Sequence, residues 1–145
     1  MSKESRDETS RRAEESVASA LRGEGFRVTN FYDVVGNFPL ADLAALRGDQ
    51  RVLVQVRGTV AAHGDFAAKP DHARKLHAFA EAVGCCGIWG FAHFTGDNEV
   101  IQFGTSSRVA ELAEAMEESW GRPTRLHINI ADFEVTVDRI SDLLK

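Results

Sequence analysis

Residues 40–57 constrain this chain most, because polar side chains stand inside two apolar runs there. The first run is Leu40-Ala41-Asp42-Leu43-Ala44-Ala45-Leu46, and the second is Arg51-Val52-Leu53-Val54-Gln55-Val56-Arg57. Arg47-Gly48-Asp49-Gln50 separates them. Two short apolar runs around a Gly-Asp turn predict a β-hairpin. Alternation along the second strand turns Val52, Val54 and Val56 to the core and Gln55 and Arg57 to the other face. A carboxylate on an apolar strand is costly unless it is paired or bound to a metal. The hairpin therefore predicts that Asp42, Gln55 and Arg57 cluster at its edge: one acid, one amide oxygen and one fixed cation. Purely structural alternatives exist, an Asp42–Arg57 ion pair and a solvated strand face at Gln55 and Arg57.

The flanking pattern supplies the other elements. Residues 1–12 mix charges without apolar periodicity and read as a mobile tail. Ala13, Val17, Ala20 and Leu21 share one helical face, which Gly23 and Gly25 end. Alternation from Phe26 predicts a strand to about Tyr32, and Ala61 to Lys69 reads as a loop. Pro70 suits a helix start, and Leu76, Phe79, Ala80 and Val83 give that helix a buried stripe that Gly84 stops. An apolar strand from Cys85 to Phe94 and a returning strand at Val100 to Phe103 follow. Val109 to Met116 reads as a helix, Leu126 to Ile130 as a strand and Asp132 to Leu144 as a helix. Phe91, Phe94, Trp89 and Phe103 read as core, and Cys85 and Cys86 as buried thiols.

Net charge is -5, but its distribution is uneven. Residues 47–75 carry six basic and three acidic side chains, so the middle of an acidic chain is basic. Local potential, more than net charge, is what a phosphate backbone senses. No apolar run reaches the ~18 residues of a membrane helix. The polar start MSKESRDETSRR lacks the apolar core of a signal peptide, and the expectation is a cytoplasmic protein with no membrane partner. The five histidines lack zinc-ligand spacing, and Gly23-Glu24-Gly25 lacks the third glycine of a dinucleotide loop, so no small-molecule cofactor is expected. His63, in the loop after Arg57, is a candidate base.

Together these pieces resemble the PD-(D/E)XK nucleases, and among them the archaeal Holliday junction resolvases. The resemblance rests on Ala13-Glu14, Gly25-Phe26, Asp42-Leu43, Gln55-Val56-Arg57, Lys69, the helix 71–83 and the strand 85–94, and covers about residues 11–104. It implies an α/β restriction-endonuclease-like fold, a central mixed five-stranded sheet flanked by helices. Residues 13–104 would be the nuclease-like core, and 105–145 a C-terminal α-β-α extension packed on it.

The resemblance also implies roles. Glu14, Asp42, Gln55 and Arg57 would be the catalytic set, with Mg²⁺ or Mn²⁺ on Asp42, Gln55 and the Val56 backbone carbonyl. Arg11, Arg12 and Lys69 would engage DNA. The expected activity is metal-dependent cleavage of branched or junction DNA by a homodimer. Two positions depart from the pattern: Gln55 stands where a glutamate is expected and Arg57 where a lysine is. Glutamine offers one neutral oxygen to a cation that favours anionic ones. Arginine can stabilise phosphate charge but, always protonated, cannot serve as a base. The alternative reading is thus an inactive nuclease-fold homologue that binds branched DNA or a protein. A third is an assembly module whose acidic C-terminal third docks a partner.

Overall fold

The computed structural model describes residues 3–60, 65–120, 126–129 and 137–144. Its elements are α1 (Lys3–Gly23), β1 (Arg27–Asn30), α2 (Phe31–Val35), β2 (Leu43–Arg47), β3 (Gln50–Thr59), β4 (Asp65–Ala68), α3 (Pro70–Ala82), β5 (Cys86–Thr95), β6 (Asn98–Thr105), α4 (Ser106–Trp120), β7 (Leu126–Asn129) and a 3₁₀ turn at Ile140–Asp142. Five strands form one mixed sheet in the order β1-β2-β3-β5-β6. Only the central β3–β5 pairing is parallel, and the others are antiparallel. The α/β class and the mixed five-stranded sheet flanked by helices are as expected.

The sheet is covered on both faces. Val52, Val54 and Val56 of β3 join Ile88, Ala92 and Phe94 of β5 beneath Ala13, Val17 and Leu21 of α1. Leu53, Trp89 and Phe91 face the other way, against Leu76 and Ala80 of α3 and Val109 and Ala113 of α4. A central strand in such a layered sheet has no solvent side. Gln55 is accordingly only 5% exposed, which removes the reading of Gln55 and Arg57 as a solvated face. Trp89, Phe91, Phe94 and Phe103 are core residues, as the sequence indicates. Cys85 is half-buried and Cys86 exposed, so the reading of both as buried thiols is corrected. They flank the start of β5, where the strand leaves the core.

Expectations for three stretches of the chain are also corrected. First, α1 begins at Lys3, so residues 3–12 are helical where the sequence reads as a tail. This part of the helix is held by contacts that leave no apolar repeat. The Arg12 guanidinium lies 3.9 Å from the centre of the Phe94 ring. The helix also crosses β3 at Gly58, where a Cβ would lie 2.6 Å from the Ala13 Cβ and 3.2 Å from the Thr9 carbonyl. Gly58→Ala must push helix and strand apart, and a loss of about 1–3 kcal/mol in denaturant unfolding is expected.

Second, the strand read to Tyr32 stops at Asn30, which caps the short helix α2 through its side chain on Tyr32 N at 2.9 Å. The loop read at 61–69 contains β4, whose partner β7 lies about 60 residues on, a pairing no local pattern signals. Residues 61–64, including His63, lie outside the described residues.

Third, the helix read at 132–144 is not formed in its described part. Val137 is extended and exchanges two backbone hydrogen bonds with Phe103, at 2.8 and 3.0 Å. The short 3₁₀ turn that follows is capped from a distance. The Glu24 carboxylate accepts from the amides of Ile140 and Ser141 at 3.0 Å each, and from the Ser141 hydroxyl at 2.7 Å. Residues 132–136 of that expected helix lie outside the described residues.

Candidate functional site

Asp42 sits where β2 separates from β3. Its amide still donates to the Val54 carbonyl at 2.9 Å, but the next strand acceptor for Val56 is missing. The Asp42 Oδ2 replaces it, accepting from Val56 N at 2.8 Å. A buried N–H without a partner costs about 1–3 kcal/mol, so this carboxylate has a structural task before any chemical one. The same oxygen lies 3.9 Å from Arg57 Nη1, and the two side chains are 27% and 23% exposed. Burial raises the Asp42 pKa; the Val56 hydrogen bond and the Arg57 charge offset this only in part.

Arg57 is held from several sides. Its Nη1 donates to the Val56 carbonyl at 2.8 Å. With the Gln55 amide oxygen turned toward it, the orientation that satisfies both groups, Gln55 accepts from Nη1 at 2.9 Å and Nη2 at 3.2 Å. Its Nη2 lies 3.4 Å from His72 Nδ1, and its guanidinium carbon 5.4 Å from the centre of the Trp89 ring. The His72 pKa is lowered, by burial first and then by the charge of Arg57, which suits an imidazole that accepts from the guanidinium.

Glu14 reaches the same place from α1. Its Oε1 accepts from Asn30 Nδ2 at 3.4 Å. Burial, and next the charge of Asp42, push its pKa up to about 7, with the Asn30 hydrogen bond and Arg11 opposing. Glu14 and Asp42 open onto a cleft of about 680 Å³ between α1 and the α2 region. Glu15, Asp33 and Arg11 also line it, with Phe31, Tyr32 and Phe38. Four carboxylates face one guanidinium there, so the cleft itself is no phosphate trap.

A pH dependence follows from these shifts. A carboxyl whose pKa is raised by folding is penalised when it ionises, so its contribution is full below the unfolded value and is lost as pH rises through the folded one. The Glu14 contribution to stability should therefore fall between about pH 4.5 and 7. Glu14→Gln should flatten that fall and stabilise the protein at pH 8 by at most about 1 kcal/mol, since solvent screens a half-exposed group. Urea unfolding of both proteins at pH 5 and pH 8 checks this.

The sequence-expected set is thus gathered: Glu14, Asp42, Gln55 and Arg57 form one continuous electrostatic cluster. The expected DNA contacts lie around the same end of the sheet. Arg11 is exposed on the cleft wall, and Lys69 is exposed immediately before α3, close enough to His72 to affect its charge. Arg12 is exposed but stacks on Phe94 near the end of β5. Sequence reasoning missed Asn30, His72 and Trp89 as neighbours. Asn30 carried a usable signal, an asparagine three residues before an acid-containing turn, which is a helix-cap pattern. His72 and Trp89 meet Arg57 only through tertiary packing.

The donor set is a poor fit to a divalent cation of the Mg²⁺ class. Among the described residues no group of three or more His, Cys, Asp or Glu side chains converges. Of the expected metal ligands, Val56 O and the Gln55 oxygen accept from Arg57, and Asp42 Oδ2 accepts from Val56 N.

No protein-family model matches the sequence, and no curated protein matches it. Among solved structures, the chain is similar to Hjc of Archaeoglobus fulgidus, a Holliday junction resolvase from an archaeal hyperthermophile, with a TM-score of 0.64 over 94% of this chain and 96% of that one. Identity is 17%, so the likeness is one of fold. No described helix is long and apolar enough to cross a membrane.

Proposed function

We propose that this chain is a nuclease-fold protein that binds branched DNA through backbone phosphates and does not hydrolyse it. The observation that carries the reading is the Gln55–Arg57 contact. The position where a nuclease of this pattern needs a second carboxylate holds an amide, and the position that needs a titratable amine holds a permanent cation. An arginine can stabilise charge on a phosphate but cannot deprotonate a water. Branched DNA as the ligand rests on the fold shared with a Holliday junction resolvase. Arg11, Arg12 and Lys69 are the proposed phosphate contacts, in a cytoplasmic homodimer.

A second reading, metal-dependent cleavage, is favoured by one observation: Glu14 and Asp42 share a cleft. One experiment separates the two. A labelled four-way junction is incubated with the protein in Mg²⁺ or Mn²⁺ and followed by anisotropy and by denaturing gel. Tighter binding to the junction than to a duplex of equal length, with intact strands, is expected. Cleavage abolished by Asp42→Ala would establish the second reading, and equal weak binding to both DNAs would reject the first.

A further inference from the structure

In this fold the end of β3 offers a cation three kinds of oxygen: the Asp42 carboxylate, the Gln55 side chain and the Val56 carbonyl. Each has a partner from within the chain. The Val56 carbonyl and the Gln55 oxygen both accept from the Arg57 guanidinium, at 2.8 Å and at 2.9 and 3.2 Å. The remaining charge, Asp42, lies 3.9 Å from the same Nη1. His72 on one side and the Trp89 ring on another hold the guanidinium in that place.

Charge supports the same picture. A carboxylate pair such as Asp and Glu leaves two negative charges at the strand end and demands a divalent ion even with a lysine nearby. Here Asp42 carries one negative charge, Gln55 none and Arg57 one positive charge, so the strand end is neutral without any ion, and Glu14 on α1 is the one further carboxyl of the cluster. Mg²⁺ would have to displace a guanidinium that already satisfies these oxygens, and shed its own water to do so, for no gain in charge balance. Arginine suits the task because its planar fork can meet several oxygens at once, whereas a lysine is a point charge.

We infer that Arg57, held by Gln55, is a tethered replacement for the divalent cation, and that whatever this site binds, it binds without metal. The inference rests on the reading of this chain as a nuclease-fold protein that binds DNA, and it says what fills the cation position at the end of β3. Gln55 and Arg57 are positioning residues here: one holds the other over the Asp42 carboxylate.

The test measures Mn²⁺ alone, by the loss of its free electron paramagnetic resonance signal on titration with full-length protein. Wild type should bind Mn²⁺ no more tightly than Asp42→Ala does. Gln55→Glu combined with Arg57→Lys should bind at least about tenfold more tightly than wild type, and Asp42→Ala in that background should cancel the gain. Gln55→Glu alone, which keeps the guanidinium, should show no gain; it stands in if the double variant fails to fold. Wild-type binding that matches the double variant and is lost in Asp42→Ala would overturn the inference, as would a gain in Gln55→Glu alone. Junction anisotropy with EDTA and with Mn²⁺ is run in parallel, and equal affinities are expected. Loss of binding in EDTA also overturns the inference. Absent junction binding with unchanged Mn²⁺ results counts against the DNA reading alone.

Discussion

Asp42→Ala should lower unfolding stability by about 2–4 kcal/mol at neutral pH, and Asp42→Asn by about 1 kcal/mol or less. Two losses add in the alanine variant. The Val56 amide, whose acceptor is Asp42 Oδ2 at 2.8 Å, is left inside the sheet without a partner. Arg57 loses its nearest opposite charge while enclosed by Gln55, His72 and Trp89, and removing one partner of a buried pair leaves the other uncompensated. Burial already raises the Asp42 pKa, so the charge itself is not the main source of stability. An asparagine keeps an acceptor for Val56 and should therefore recover most of the loss. Arg57→Met in the Asp42→Ala background should recover part of the rest, giving a coupling energy of about 1 kcal/mol or more in a double-mutant cycle. Equal losses for the alanine and asparagine variants would show that the carboxylate acts through charge alone.

Junction affinity of the proposed homodimer should fall about 2000-fold when salt is raised from 50 to 200 mM. The estimate takes three phosphate contacts per chain, at Arg11, Arg12 and Lys69, hence six in the dimer, and a slope near -0.9 per contact. The basic middle segment of the sequence would suggest more. The structure reduces the count, because Arg47 is tied to Glu24, Ser141 and Gln50, Arg74 to Asp71, and Arg57 to the site interior. Replacing Arg11, Arg12 and Lys69 together by alanine should cost about 100-fold at low salt and remove most of the slope. A slope unchanged by the triple variant would place the phosphate contacts elsewhere.

The hairpin carried most of what could be read from sequence. Its alternation fixed which side chains share a face, and the turn at Gly48 fixed the register that brings Asp42 to Val56. The fold class and the convergence of Glu14 with the hairpin came from the order of motifs, not from any one of them. What could not be read was made by distant partners. The β4–β7 pair and the Val137–Phe103 bridge join segments tens of residues apart. The Glu24 cap on Ile140 and Ser141 spans most of the chain and overrides a local pattern that favours a helix. Periodicity also left a solvated face open for Gln55 and Arg57: alternation names two faces but does not say that α3 covers the second. That difference decides the chemistry, because a guanidinium on an open face would be hydrated, whereas this one takes up the oxygens around it.

A crystal structure of the protein grown in millimolar Mn²⁺ tests most directly whether Arg57 occupies the cation's seat beside Asp42. Anomalous maps should be flat between Asp42 and the Val56 carbonyl, with the guanidinium bonded to that carbonyl and to Gln55. An anomalous peak coordinated by Asp42 and the Val56 carbonyl, with Arg57 swung away, would contradict it.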